Sequence, residues 1–188
     1  MSVRRTLAFV LVLAYAVWAC AIDGAVASAA RDFGWTPELF VVLLVVLAAR
    51  LPAADLPLLA LCCALARTSV SIDPPVTSFA LSLGMVALAR VTRGIVDVQG
   101  AWPSAMLAAA CAGLGVLWCT LASDARLAVG RLDGTALPID GSLVLSLAAR
   151  RALSTGVAAL ALGSACAHLP GLGILWRRAT WHVGASLR

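Results

Sequence analysis

Long, unbroken apolar runs constrain this chain more than any other feature of its sequence. Between Thr36 and Arg93, three such runs follow one another, separated by two short polar turns that contain proline. Membrane-spanning strands alternate apolar and polar residues, and these runs do not. A helix satisfies all of its backbone groups internally, as a hydrocarbon environment requires. The pattern therefore predicts a membrane unit of helices that folds back on itself.

Composition supports the same assignment for the whole chain. Of its 188 residues, 62% are hydrophobic and 12% are charged, whereas a soluble domain carries about 25% charged residues. The mean hydropathy is +1.00. We predict an all-α, polytopic membrane helix bundle of about six transmembrane helices, which forms a single integral membrane domain over residues 1–188.

Six segments are predicted to span the membrane, at 6–22, 37–50, 55–67, 76–91, 102–121 and 152–169. An interfacial helix at 142–149 is predicted to precede the last span, and a basic, aromatic tail at 176–188 to follow it. The second and third segments are short, because at about 1.5 Å per residue they reach less than the ~30 Å hydrocarbon core. We expect both to cross, with a re-entrant hairpin as the alternative.

Further predictions concern the first span, the residue that follows it and the start of the second span. The first segment fits a signal peptide as well as a span, and we expect an uncleaved helix because many spans follow it. Asp23 is predicted to lie in the loop after this helix. Thr36 is predicted to cap the second span, with Pro37 in its first turn, where the missing N–H costs nothing.

All fourteen basic residues are arginines, and they lie at segment ends. With the N-terminus inside, the larger share falls on the cytoplasmic side, as the positive-inside rule requires. We therefore predict that both termini are cytoplasmic. Contact with acids of a partner protein is the alternative role for the arginines between spans. The residues predicted to anchor the bundle at the membrane surfaces are Arg4, Arg5, Arg50, Arg90, Arg93, Arg177, Arg178, Trp18, Trp102, Trp118 and Trp176.

The sequence contains no motif for nucleophilic, acid–base, phosphate-loop or metal chemistry. No carboxylate is predicted in the middle of a span, which counts against a proton- or ion-coupled pump. The six cysteines lie in or beside apolar segments without C-x-x-C spacing, so we interpret them as packing residues. We expect no enzymatic activity, no cofactor, no metal and no nucleic-acid partner.

Small residues mark two helix faces on which another helix could pack closely. The first span carries one face and the fifth span carries the other. The same residues could equally serve packing within the bundle, and this alternative stays open. The predicted partner-binding residues are Ala8, Ala14, Ala16, Gly113 and Gly115.

Three motifs follow one another in an order that indicates a family. Thr36-Pro37-Glu38-Leu39-Phe40 opens an aliphatic span. Ser71-Ile72-Asp73-Pro74-Pro75-Val76 opens a span that ends in the basic cluster Arg90–Arg93, and Arg151-Ala152-Leu153 begins the last span. With these motifs the chain resembles the MreD family of bacterial rod-shape-determining membrane proteins. It departs from the family at Arg67-Thr68-Ser69, where an acid is common.

The resemblance implies a non-enzymatic scaffold subunit of the bacterial elongasome, the cell-elongation (rod) complex of the inner membrane. Such a subunit binds the bitopic protein MreC and helps to control cell shape and peptidoglycan synthesis. Its indirect partners are MreB, RodA and a class B penicillin-binding protein. The family's fold is similar to that of the substrate-binding subunits of energy-coupling-factor transporters. The alternative function is therefore that of a vitamin-binding transporter subunit.

Overall fold

The computed structural model describes residues 3–30, 35–71, 74–96, 100–130, 141–172 and 175. Every regular element within these residues is helical, which confirms the predicted all-α class. Five helical stretches are long and apolar enough to cross a membrane, so the chain has the character of a multi-pass membrane protein. The elements are α1 (Val3–Ala29), α2 (Leu39–Arg50), a 3-10 helix (Ala53–Asp55), α3 (Leu56–Val70), α4 (Pro75–Arg93), α5 (Ala101–Gly130) and α6 (Gly141–Ala167).

Helix α2 is the centre of the bundle. All residues from Phe40 to Ala49 are buried, and α1, α4, α5 and α6 pack around them. A helix that is apolar on every side is stable when it is fully enclosed, and this run consists of Phe, Val, Leu and Ala. Its twelve residues rise only ~18 Å. The second predicted span is thus an internal helix that longer helices surround.

Helix α2 ends where Pro52 disfavours helical backbone at the preceding residue. Leu51 accordingly has an extended ψ of 145°. The chain then turns through the 3-10 helix into α3, which runs in the opposite direction. The third and fourth spans agree with their predicted bounds to within a few residues, because prolines begin both segments and polar turns end them.

Successive helices run in opposite directions, and two contacts fix their ends. Arg5, near the start of α1, forms an ion pair with Asp55, which immediately precedes α3. Arg93, at the end of α4, donates a hydrogen bond to the carbonyl oxygen of Leu51 at 2.6 Å. The starts of α1, α3 and α5 therefore lie at the same end of the bundle as the ends of α2, α4 and α6. We call it the basic end, because it carries Arg5, Arg50, Arg90 and Arg93.

Close packing joins α5 and α6 into a long antiparallel hairpin. A Cβ atom added at Gly156 would lie 3.3 Å from the Cβ of Ala109, and one added at Gly113 would lie 3.5 Å from the Cβ of Ala152. Glycine at these positions lets the two backbones approach, as small residues commonly do between membrane helices.

Three helices are longer than predicted. The first span was predicted to end near residue 22 and the fifth at 121, whereas α1 continues to Ala29 and α5 to Gly130. Alanine-rich sequence with high helix propensity follows both predicted ends. The prediction of a separate interfacial helix at 142–149 is wrong. Helix α6 runs unbroken from Gly141 to Ala167, and no glycine or proline between Ser142 and Thr155 interrupts it.

After α6 the chain turns back against α1. Gly171 adopts a φ of +82°, a conformation that glycine reaches without strain, and it touches Leu11. The hydroxyl of Tyr15 donates to the carbonyl oxygen of Pro170 at 3.1 Å, and Leu172 is fully buried. The first helix is therefore an integral part of the core. The predicted basic tail at 176–188 lies outside the described residues.

Candidate functional site: a charged cavity within the bundle

The site begins where Asp23, in the C-terminal part of α1, meets the first turn of α2. Its Oδ1 accepts the backbone N–H of Leu39 at 2.8 Å, and its Oδ2 accepts that of Phe40 at 3.0 Å. The first N–H groups of a helix have no partners within it, and negative charge there is favoured by the helix dipole. Asp23 therefore caps α2 from a neighbouring helix.

The prediction that Thr36 caps this helix is wrong. Helix α2 begins at Leu39, and its N-cap residue is Glu38, whose side chain makes no capping hydrogen bond. Thr36 precedes the cap position by two residues. An acid from another helix occupies the place that a local side chain usually takes.

Glu38 is held by two residues of α6. The Nη1 of Arg151 donates to its Oε1 at 2.7 Å, and its own backbone N–H donates to the Oγ1 of Thr155 at 3.0 Å. Arg151 and Thr155 are four residues apart and so lie on the same face of the helix. The side chains of Glu38 and Arg151 are 14% and 33% exposed, and Thr155 is fully buried. Loss of either charged partner would leave the other charge largely buried and unpaired.

The ion pair between Glu38 and Arg151 lies deeper in the bundle than Trp118, the tryptophan of α5 nearest to it. Gly113 of α5 packs against Ala152 of α6, next to Arg151. Trp118 lies five residues further along α5, or about 7.5 Å higher at the helical rise. Trp102 lies near the start of the same helix. Since exposed tryptophans favour the two membrane surfaces, the ion pair falls within the layer that these two residues bracket.

A cavity of about 220 Å³ opens beside the ion pair, and we call it the charged cavity. Asp23, Arg67 and Arg151 reach it from α1, α3 and α6, and Phe40 adds an aromatic surface. The Nη2 of Arg67 also donates to the Sγ of Cys119 at 3.4 Å. A second cavity of about 390 Å³ extends between α5 and α6 and shares Glu38, Arg67 and Arg151 with the first.

The balance of charge limits what the charged cavity can hold. Two arginines face two carboxylates, so a small polar or zwitterionic molecule, or water, fits better than a strong cation or anion. Pockets for drug-sized ligands measure about 300–1,000 Å³, which is larger than this cavity. Among the described residues, no group of three or more His, Cys, Asp or Glu side chains is arranged to hold a metal ion.

The expectation that charged side chains stay at the ends of spans is wrong for this site. Asp23 lies within α1 rather than in a loop, and Glu38 and Arg151 meet inside the bundle. Sequence analysis missed Thr155 altogether. Two signals were available: alanines continue the helical pattern beyond Asp23, and Arg151 and Thr155 have the spacing of one helical turn. Neither signal identifies the partner helix.

The predicted partner-binding residues mostly serve internal packing, which was the alternative for them. Ala8 and Ala16 are fully buried against the core, whereas Ala14 is exposed. Gly113 packs against α6, and a Cβ added at Gly115 would lie 3.1 Å from the Cε of Met85 in α4. Helix α5 lies between two neighbours, so its glycine faces are already occupied. Of the five residues, Ala14 alone stays free to contact another protein.

The three predicted tryptophan anchors that the structure describes have exposed side chains. The exposed fraction is 69% for Trp18, 72% for Trp102 and 42% for Trp118, whose Nε1 donates to the carbonyl oxygen of Thr77 at 3.3 Å. Such exposure suits contact with lipid headgroups. Four predicted anchors lie outside the part that the structure describes, namely the side chain of Arg4, and Trp176, Arg177 and Arg178.

The arginines predicted as anchors have more varied surroundings. Arg90 and Arg93 are exposed at the end of α4. Arg5 is engaged by Asp55. Arg50 is half-buried, and its Nη1 atom is completely enclosed without a hydrogen-bond partner among the described residues. Arg50 therefore differs from an arginine that extends its whole head group to the membrane surface.

No family model, no curated protein and no solved structure matches this chain. A function must therefore be inferred from the chain's own residues and from the packing of its helices. Two features of the molecule bear on it: ionic contacts that join the helices inside the bundle, and long helices whose outer faces are apolar.

Proposed function

We propose that this protein is a non-enzymatic scaffold subunit of the bacterial cell-elongation complex. In this role it binds an MreC-like bitopic membrane protein and is linked indirectly to MreB, RodA and a class B penicillin-binding protein. The order of the three motifs supports the proposal. Thr36–Phe40 leads into the central helix α2 and the run from Ser71 to Val76 leads into α4, whereas Arg151–Leu153, predicted to begin the last span, lies within α6.

The main support for the proposal is that charged side chains connect the helices to one another. Asp23 caps α2, Glu38 pairs with Arg151, and Arg5 pairs with Asp55. Each contact joins residues far apart in sequence and fixes the end of one helix against another. A bundle fastened in this way presents a constant outer surface, which suits a subunit that acts by binding other membrane helices.

Helix α1 offers an outer face for a single partner helix. Exposed side chains recur along it every three or four residues and so form one stripe. Ala14 is the small residue of this stripe, where a partner backbone can approach closely. Of the alanines first assigned to this face, Ala8 and Ala16 pack inward and are left out of the proposed contact. The stripe consists of Leu7, Val10, Ala14 and Trp18.

The proposed location is the bacterial inner membrane, with both termini in the cytoplasm. The excess of arginines at the basic end is small, and it is Arg4 and Arg5 at the start of the first span that support this orientation, because arginines near span ends favour the cytoplasmic side. The start of α1 and the end of α6 lie at that same end. The charged cavity then opens toward the outer face of the membrane.

Co-purification in mild detergent from the host bacterium tests the scaffold function. We expect a single-span membrane protein to be recovered with the native chain, and rod shape to be lost when the chain is depleted. Ala14→Leu should lower the recovery of that partner several-fold. Gly84→Leu is the matched control, because Gly84 is exposed on α4 and a Cβ there meets nothing within 4 Å. Unchanged rods and no recovered single-span protein would reject the proposal.

The charged cavity favours a second candidate function, that of a substrate-binding subunit of an energy-coupling-factor-type vitamin transporter. In the proposed orientation, this cavity faces the outer side and combines charged groups with Phe40. Native mass spectrometry of the purified chain distinguishes the two functions. A vitamin bound in one copy per chain supports the transporter, whereas a ligand-free chain that retains its single-span partner supports the scaffold.

A further inference from the structure

A third cavity, of about 200 Å³, lies at the basic end between α2, α5 and α6, and we call it the Arg50 cavity. Arg50 lines it from the last turn of α2. The space exists because the surrounding wall is built of small residues. A volume of about 10–15 Å³ is enough for one water molecule, so the cavity admits a much larger group. The small residues of the wall are Ala49, Ala101, Ala159 and Gly163.

Arg50 makes no hydrogen bond or ion pair with any residue that the structure describes. Its Nη1 is completely enclosed and has no acceptor within the described part of the chain. An arginine near the end of a membrane helix usually extends its charged head to the surface, yet part of this guanidinium is held inside. A buried cationic donor without an acceptor is costly. A ligand that supplies negatively charged acceptors would remove this cost.

The surroundings of Arg50 favour an anion. Among the described carboxylates, Asp55 is paired with Arg5, while Asp23, Glu38 and Asp124 lie at the opposite end. Helix α5 begins at Ala101, in the wall of the cavity, so the positive end of its dipole points there. Ser164 also lines the cavity. The hydroxyl of Ser104 donates to the carbonyl oxygen of Ala101 and is not available as a donor.

We propose that the Arg50 cavity binds a phosphate group, supplied either by the headgroup of a membrane lipid or by a soluble phosphate. The planar guanidinium offers parallel N–H donors that match the oxygens of phosphate. Phosphate is also the abundant anion at a membrane surface. In the proposed orientation this end meets the cytoplasmic leaflet, which carries anionic lipids. The site does not depend on the scaffold function, since it uses neither the α1 stripe nor the charged cavity.

Binding to the delipidated, detergent-solubilised chain tests the proposal with two probes. Short-chain phosphatidylglycerol represents the lipid source, and inorganic phosphate represents the soluble source. We expect one copy of at least one probe to bind, detected by native mass spectrometry, and to raise the unfolding temperature. Arg50→Gln should weaken that binding about tenfold or more. Binding of the lipid alone assigns the headgroup, and binding of inorganic phosphate assigns the soluble source.

Two further variants distinguish binding in the Arg50 cavity from nonspecific binding to exposed arginines. Arg90→Gln removes an exposed arginine at the same end of the bundle and should leave binding unchanged. Ala159→Leu fills the cavity and should abolish binding while Arg50 is retained. Without ligand, Arg50→Gln should be at least as stable as the native chain, because it removes an unpaired buried charge. The proposal is overturned if neither probe binds, or if Arg50→Gln and Arg90→Gln weaken binding equally.

Discussion

Asp23 has a structural role that its position in the sequence does not suggest. An acid that follows an apolar run usually marks the end of a span, but here the helix continues and the carboxylate reaches two N–H groups of α2. The central helix thereby gains negative charge at its N-terminus, where the dipole favours it. The first N–H groups of a helix have no partners within it, and the cap from α1 satisfies two of them.

Replacing Asp23 should therefore destabilise the whole bundle. Asp23→Ala removes both acceptors and should lower the free energy of unfolding by roughly 1–2 kcal/mol. Asp23→Asn keeps one acceptor oxygen but turns an NH2 group toward the other N–H, so it should cost less than Asp23→Ala without restoring full stability. Thermal unfolding in detergent, followed by tryptophan fluorescence, measures both. Equal stability of the native chain and Asp23→Ala would show that the cap contributes nothing.

A second prediction for single residues concerns the ion pair between Glu38 and Arg151. Arg151→Met leaves the carboxylate of Glu38 largely buried without its counter-ion. It should lower the free energy of unfolding by about 2–4 kcal/mol, which is less than for a fully buried pair because Arg151 is partly exposed. Arg150→Met is the matched control, because Arg150 is the exposed neighbour on the same helix, and it should change stability little.

The double variant Glu38→Met with Arg151→Met completes a double-mutant cycle, which measures the interaction between the two side chains. It should recover part of the stability that Arg151→Met loses, because no unpaired charge remains. Unfolding temperatures of the four chains in one detergent give the coupling. Additive losses in the double variant would mean that the two side chains do not interact.

The packing of α5 on α6 depends on glycines at the contact between the two helices. Gly156→Leu places a side chain where even a Cβ atom lies 3.3 Å from Ala109, so it should force the helices apart and cost about 1–3 kcal/mol. Gly84→Leu, on the exposed face of α4, adds the same atoms in open space and should be tolerated. Unfolding temperature and yield of folded protein compare the two. Equal stability of both variants would contradict the observed packing.

Sequence reasoning succeeded for helices whose boundaries carry local signals. Prolines near the starts of α3 and α4 and polar turns after them define those helices from nearby residues alone. It failed for α6, where Arg150 and Arg151 resemble the end of an interfacial segment. Helix α6 continues through them, and Arg151 faces a carboxylate of another helix. That partner follows from tertiary packing, which spacing along the chain does not reveal.

At the scale of the whole molecule, the central position of α2 decides which helices can face lipid. The second segment was predicted to be a short span that crosses the membrane beside the others, whereas α2 is enclosed and longer helices surround it. The charged cavity and the Arg50 cavity lie near its two ends. Sequence alone indicated the apolar character and the arginine clusters, but not that Asp23, Glu38 and Arg151 meet inside the protein.

The orientation of the molecule gives a further prediction. Reporter proteins fused to the N-terminus and to the C-terminus should both be in the cytoplasm, because the start of α1 and the end of α6 share the basic end. A fusion partner that fluoresces only in the cytoplasm and one that is active only outside it give opposite readouts. If either terminus carries an active external reporter, the proposed orientation is wrong.

The most direct test of the scaffold proposal is site-specific photo-crosslinking from α1 in living cells. A photoreactive residue replaces either Val10, which is 55% exposed on the outer stripe, or Val12, which is fully buried. The scaffold account predicts that the probe at position 10 captures a single-span membrane protein and that the probe at position 12 captures only this chain. Capture of no other protein from position 10, in cells where the chain is needed for rod shape, would contradict it.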